Sequence, residues 1–287
     1  MVKTGDVGKG KTENNGGIRA KVRFDGLKAI EPDKGFGKIL IAFPVANNVL
    51  HGLNQLYARL QYNILVMDDF LSKLNEEQRE AVIYGEGPLL ILAGAGSGKT
   101  RVLTYRAAYL IREKGVDPGK IALLTFTNKA AGEMRERVRA LEGKSTDLGF
   151  AGTFHTFCAK LLRKYGLNVG VKPNFVIFDS DDSESAMKSV LKELDLDPKE
   201  YKPTMFLGMI GKMKNDLVSI AEAESTANEY FRRMTVKVWR AYQEKLERNN
   251  AVDFDDLLVK GVSLLKIERV KEEINESLQW ILVDEYQ

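Results

Sequence analysis

Residues 88 to 100 read Pro-Leu-Leu-Ile-Leu-Ala-Gly-Ala-Gly-Ser-Gly-Lys-Thr, and these types at this spacing suit one task, holding a chain of phosphates. Gly94, Gly96 and Gly98 can take backbone angles closed to other residues, so successive N–H groups can turn toward one anion. Lys99 can reach the terminal phosphates, and the Thr100 hydroxyl can ligate Mg²⁺. The usual pattern has glycine six positions before the lysine, where this chain has Ala93. A glycine-rich turn that binds nothing would look similar at the loop alone. A second stretch argues against that reading. Trp280-Ile281-Leu282-Val283 is an apolar run that ends in Asp284-Glu285. A carboxylate at the end of a buried strand can hold Mg²⁺, usually through water, and the next can orient or deprotonate an attacking water. Lys99 and Asp284 stand 185 positions apart, so a sizeable insertion must separate them.

The elements that position these groups can be read from periodicity. Leu89 to Leu92 is a short strand, and Val102 to Ile111 is an amphipathic helix whose N-terminal dipole adds to the anion site. Earlier, Asn75 can cap a helix over Leu74 to Val82. Gln78 then stands three residues after the cap, the capping-box spacing, and spacing alone favours that role over recognition of an adenine edge. Lys120 to Thr125 is a buried strand that delivers Phe126 to its carboxyl end, where open α/β sheets bind ligands. Phe126 could be plain core or a platform on which a base stacks. Thr127 or Asn128 caps the next helix, whose apolar stripe is Ala131, Met134, Val138 and Leu141. A third strand near Phe150 to Thr153 leads to a stripe of Phe154, Phe157, Cys158, Leu161 and Leu162. His155 and Thr156 lie off that stripe, at the helix start. Residues 167 to 250 turn helical, and their basic residues (Lys212, Lys214, Arg232, Arg233, Lys237, Arg240) are expected mostly on a solvated face. Asp253, Asp255 and Asp256 could form a metal site, but Asp253 and Asp256 are more simply caps for the helix that Leu257 and Leu258 enter.

Bulk properties narrow the class. With 44% hydrophobic and 29% charged residues, the 287-residue chain has a globular composition. The one cysteine, Cys158, excludes an internal disulfide and fits a reducing compartment. Two histidines, His51 and His155, are too few for a histidine-based metal site. No apolar run approaches the roughly 18 residues of a membrane span, and no leader pattern opens the chain, so a cytoplasmic location with no membrane partner is expected. Net charge is +3, but residues 1–66 hold 10 basic and 5 acidic residues while the remainder is slightly acidic. Nucleic-acid binding by the remainder would therefore use a local groove rather than bulk charge. Residues 1–66 are also glycine-rich, with one candidate helix at 49–61, and Met67 resembles a natural start. The expectation is an N-terminal extension foreign to the core, a genuine basic appendage being the alternative.

Six segments in one order resemble the front part of the superfamily 1A DNA helicases, the UvrD/PcrA/Rep group. They are Leu74 to Val82, Ala93 to Leu103, Thr125 to Met134, Gly152 to Cys158, Asp253 to Leu258 and Val283 to Gln287. The resemblance implies an α/β fold with a P-loop RecA-like parallel sheet (1A) and an inserted all-helical subdomain (1B). Residues 67–166 would be the first part of 1A, 167–250 the 1B subdomain, and 251–287 the return to 1A. It implies ATP and Mg²⁺ as cofactors, with Gln78 as the adenine reader. The loop Ala93, Gly94, Ala95, Gly96, Ser97, Gly98, Lys99, Thr100 and Arg101 would bind the nucleotide, and Thr100 and Asp284 the metal. Lys99, Glu285 and Gln287 would serve catalysis. Phe126, Asn128, His155, Thr156, Asp255 and Asp256 would line or border a single-stranded DNA path. The implied activity is 3′-to-5′ translocation on single-stranded DNA and at single-strand/duplex junctions, in repair or replication. A module that grips ATP or DNA without turnover and the helicase part of a helicase–nuclease are the alternatives. The chain stops inside the acidic motif, so the second RecA-like domain and its arginines are expected to be missing, and this polypeptide alone is expected to bind ATP weakly and not to unwind DNA.

Overall fold

The computed structural model describes residues 39–44, 70–94, 96–143 and 146–286. The candidate helix at 49–61 lies outside the described residues, as do Ala95 and Gln287. In chain order the elements are β1 (Ile39–Pro44), α1 (Glu76–Ile83), β2 (Leu89–Leu92), α2 (Lys99–Arg112), β3 (Ile121–Thr125), α3 (Asn128–Glu142), β4 (Phe150–Thr153) and α4 (Phe154–Tyr165). Then come β5 (Val176–Ile177), α5 (Ser180–Glu193), α6 (Pro203–Asn215), α7 (Ile220–Ser225), α8 (Tyr230–Arg248), β6 (Ala251–Val252), α9 (Phe254–Leu265), α10 (Glu268–Ser277) and β7 (Trp280–Val283).

The central sheet has the order β2-β1-β7-β3-β4. Strands β7, β3 and β4 are parallel, with Leu123 opposite both Leu282 and Ala151. Parallel strands are covered by helices on both faces and so read as unbroken apolar runs. Alternate residues serve the two sides. Ile121, Leu123, Trp280 and Leu282 join one core with Val82, Val102, Leu103, Met134 and Val138. Ala122, Leu124 and Val283 join the other with Phe157, Leu161, Leu162, Leu257 and Leu264. Burial at about 25 cal/mol per Å² makes these two cores the main favourable term in the fold.

Of residues 1–66 only β1 is described, and it is part of the sheet. It lies antiparallel between β2 and β7, with Ile41 opposite both Leu90 and Val283. The run Ile39-Leu40-Ile41-Ala42-Phe43 can satisfy the backbone groups of both neighbours, and Pro44, which has no N–H to donate, is its last residue. The strand separates the phosphate-loop strand from the acidic strand by one position, so β2 and β7 run in the same direction.

Helices α5 to α8 form a separate layer with its own core, built on Met187, Val190, Leu191, Phe206, Ile210, Val238, Trp239 and Tyr242. The two-stranded pairing of β5 with β6 closes its base, with Val176 opposite Ala251. Val171 and Phe175, inside the stretch expected to be helical from residue 167, pack instead with Leu161 and Val252 of the sheet domain. The helical layer therefore begins at Ser180, after β5 has left the sheet domain. No helix among the described residues is long and apolar enough to cross a membrane.

Candidate nucleotide site and adjoining aromatic face

The phosphate loop connects β2 to α2, and two left-handed residues shape it. Gly96 has φ 78° and Gly98 has φ 84°, angles that cost a side-chain-bearing residue strain. Gly98 is also the N-cap of α2, and a Cβ there would come 2.8 Å from Gln78 Nε2. Gln78 fills the capping role and makes one further contact. Its N–H donates to Asn75 Oδ1 at 2.8 Å and its Oε1 accepts from the Asn75 N–H at 3.3 Å, a complete capping box on α1. Its Nε2 donates to the Ser97 carbonyl at 2.9 Å, which ties α1 to the loop. Its side chain lines a cavity of about 250 Å³ with Leu92, Ala93, Ser97 and Lys99.

Lys99 is 7% exposed, and its ammonium donates to the carbonyls of Ala93, at 2.9 Å, and Gly94. It is thus held at the loop, with backbone oxygens as its partners. Thr100 Oγ1 donates to Asp284 Oδ2 at 3.0 Å, a contact between residues 184 positions apart. Asp284 is fixed in turn: its N–H donates to the Leu124 carbonyl at 2.8 Å, and its Oδ1 accepts from the Glu285 N–H at 3.0 Å. Glu285 has φ 62°, an uncommon angle for a side-chain-bearing residue, and this turns the chain sharply just after β7. A cavity of about 370 Å³ is lined by Thr100, Thr125, Phe126, Thr127, Arg137, Asp284 and Glu285. No cluster of three or more His, Cys, Asp or Glu side chains suited to a metal occurs among the described residues. A hydroxyl and one carboxylate are instead a donor set of hard oxygens, which fits Mg²⁺ completed by water and substrate oxygens. Arg101 places its guanidinium 5.6 Å from the Tyr105 ring centre, on the outer side of α2.

On the same carboxyl edge of the sheet, Phe126 is 77% exposed at the end of β3. Asn128 is exposed in the first turn of α3, which Thr127 caps by accepting from the Ala130 N–H at 3.1 Å. His155 is half-buried and Thr156 exposed at the start of α4. Burial lowers the His155 pKa, and the nearby Asp255 carboxylate offsets part of that. An aromatic that the sequence reading did not single out stands beside His155. Phe254 is 48% exposed and meets His155 edge-on at 5.6 Å between ring centres. Its signal was a lone aromatic among three aspartates in a helix's first turn, where an apolar residue has no core to enter. Asp256 is buried, with its carboxylate taken by Lys214 and Gln243. Asp255 is half-buried and faces α6. Asp253 serves as the α9 cap, accepting from the Asp256 N–H at 2.7 Å. Burial pushes the Cys158 thiol up to about 11, so it is a packing residue and not a nucleophile.

Comparison with known proteins gives a consistent picture. The family described as the UvrD/REP helicase N-terminal domain matches residues 74–287. The chain is 46% identical over 222 residues to a protein of Staphylococcus aureus named ATP-dependent DNA helicase PcrA, a match that covers 77% of this chain and 30% of that protein. A protein of the same name from Staphylococcus epidermidis is 46% identical over 224 residues, with the same coverages. The matched part thus spans 30% of the length of these curated relatives.

Proposed function

The chain belongs to the UvrD/REP helicase N-terminal domain family, and on that basis we propose that it is the ATP-binding part of a DNA helicase or translocase that moves 3′ to 5′ on single-stranded DNA in repair or replication. The observation that carries the reading is the 3.0 Å contact of Thr100 with Asp284 beside the buried Lys99. It unites the two halves of a nucleotide site that the sequence keeps far apart.

The residues divide the work as follows. N–H groups of the loop around Gly96 and Gly98, with the α2 N-terminus, cradle the phosphates. Lys99 exchanges two carbonyl partners for phosphate oxygens, a gain because charge-assisted bonds are the stronger ones. Gln78 offers an amide that can both donate to and accept from the adenine edge. Thr100 and Asp284 would hold Mg²⁺, which when bound neutralises charge on the phosphate oxygens. Glu285 orients the water that attacks the terminal phosphorus and takes its proton as the bond to the bridging oxygen breaks. Phe126, Phe254 and His155 offer faces on which bases stack, with Asn128 and Thr156 for backbone contacts. Hydrolysis then alters the corner between Glu285 and Phe126, two residues that line one cavity.

Charge on the transferred phosphoryl group is commonly met by arginines worth about 10³–10⁵ in rate. A second RecA-like domain is proposed to supply them. The test is fluorescent-ATP binding and ATP hydrolysis by this chain, with and without single-stranded DNA, beside Lys99→Ala. Binding that Lys99→Ala weakens about tenfold or more is expected, with little turnover by the chain alone. Nucleotide affinity indifferent to Lys99→Ala would overturn the assignment.

A further inference from the structure

The helical layer and the sheet domain meet at a buried charge cluster that the nucleotide chemistry does not use. Lys214, near the carboxyl end of α6, is 3% exposed rather than on the expected solvated face. Its Nζ lies 2.8 Å from Asp253 Oδ2 and 2.8 Å from Asp256 Oδ1. Gln243 on α8 donates to the other oxygen of Asp256 at 3.1 Å. The ammonium also stands 5.7 Å from the centre of the Tyr242 ring. One turn earlier on α6, Gly211 faces Asp255: a Cβ there would come 2.8 Å from Asp255 Oδ2. The capping Asp253 and both carboxylates of the first turn of α9 thus meet α6. The residue they bracket is Phe254, which stands edge-on to His155.

Buried ion pairs are poor evidence of net stability, because desolvation can cancel the Coulombic gain. Burial lowers the Lys214 pKa, but the two carboxylates outweigh it and the net shift is upward, so the ammonium stays charged. What such a cluster supplies is direction. Two short bonds from one ammonium fix the rotation of the α9 first turn against the helical layer. We propose that Lys214 is a positioning residue that pins the start of α9 to the helical layer, holds Phe254 against His155, and thereby couples the layer to strand binding. This rests on the reading of the aromatic face as a surface for single-stranded DNA.

The test uses the whole 287-residue chain and has two arms. In the first, Phe254→Trp makes a reporter, because Trp239 and Trp280 are both buried and acrylamide-quenchable emission then belongs to position 254. Adding Lys214→Met is expected to raise the quenching constant about twofold or more. An unchanged constant overturns the pin, whether or not the chain binds DNA. In the second, anisotropy of a fluorescein-labelled oligo(dT) at low salt compares Lys214→Met, Phe254→Ala and the double variant. Each single change is expected to weaken binding about five- to tenfold, and the double no more than the worse single, because both act through one ring. Losses that multiply in the double variant overturn the proposal. No oligo(dT) binding by the unaltered chain, with the quenching shift present, overturns the coupling to strand binding and the DNA reading but leaves the pin supported. Should Lys214→Met fail to fold, the triple variant Lys214→Met/Asp253→Asn/Asp256→Asn removes the three charges of the ion pairs and keeps a good cap, and both arms are read on it with the same expectations.

Discussion

Phe254 and Gln78 mark what single side chains do in this molecule. Phe254 leaves half of a large apolar surface in water, and its edge-on contact with His155 fixes the ring's presentation. Such a ring adds little to the stability of the free chain but offers a face for a base, worth about 1–3 kcal/mol. Phe254→Ala is therefore expected to weaken oligo(dT) binding about tenfold while the thermal midpoint stays nearly unchanged. A large drop in that midpoint with intact affinity would make the ring a packing residue. Gln78 joins two roles because one side chain has two ends. Its Oε1 completes the cap of α1 while its Nε2 reaches the Ser97 carbonyl, so the helix that presents the amide is anchored to the loop it serves.

At the scale of elements, α1 is capped by its own residues at the start and held by an arginine of the next helix at its end. It is eight residues long, too short to persist alone in water. Arg106 of α2 is almost fully buried and donates to the carbonyls of Ala81, Val82, Tyr84 and Gly85 at 2.9–3.3 Å, closing the C-terminal end of α1. No carboxylate pairs with it in those contacts. The guanidinium is instead stabilised by the negative end of the α1 dipole and by the Trp280 ring, 5.5 Å away. Burial depresses its pKa to about 10, which leaves it charged at neutral pH. Arg106→Met keeps the bulk but strands several carbonyls, each costing about 1–3 kcal/mol where water cannot reach it. A loss of about 2–4 kcal/mol is expected by urea denaturation, together with weaker ATP binding through Gln78. A loss below about 0.5 kcal/mol would mean that the carbonyls find water and that α1 stands by packing alone.

For the whole molecule, the sheet depends on β1. It fills the position between the strand that ends in the phosphate loop and the strand that ends in Asp284. It thereby sets the spacing across which Thr100 meets Asp284. Ala42 is paired on both sides, with Leu89 and with Leu282. Proline there removes a ladder donor inside a sheet and is tolerated only at edges or bulges. Ala42→Pro is expected to lower the thermal midpoint by several degrees and to weaken nucleotide binding. A midpoint and affinity equal to those of the unaltered chain would show that the sheet closes without this strand.

The local features of the site were legible because each follows from residues adjacent in the chain. Glycines that permit left-handed angles, a lysine and threonine after them, and an apolar run closing on Asp284-Glu285 each declare themselves within about a dozen residues. The caps by Asn75, Thr127 and Asp253 follow from side-chain oxygens that reach only the nearest free N–H groups. Contacts set by distant packing were not legible. Lys214 reads as one more surface lysine until α6 lies across α9, and Asp256 as one more candidate for the DNA face until Lys214 and Gln243 occupy it. Likewise, the place of Ile39–Pro44 depends on which backbone groups β2 and β7 leave unpaired, and a strand's own side chains do not state that. A buried charge or an interior strand is fixed by its partners, and those partners come together only when the sheet and the helical layer have closed.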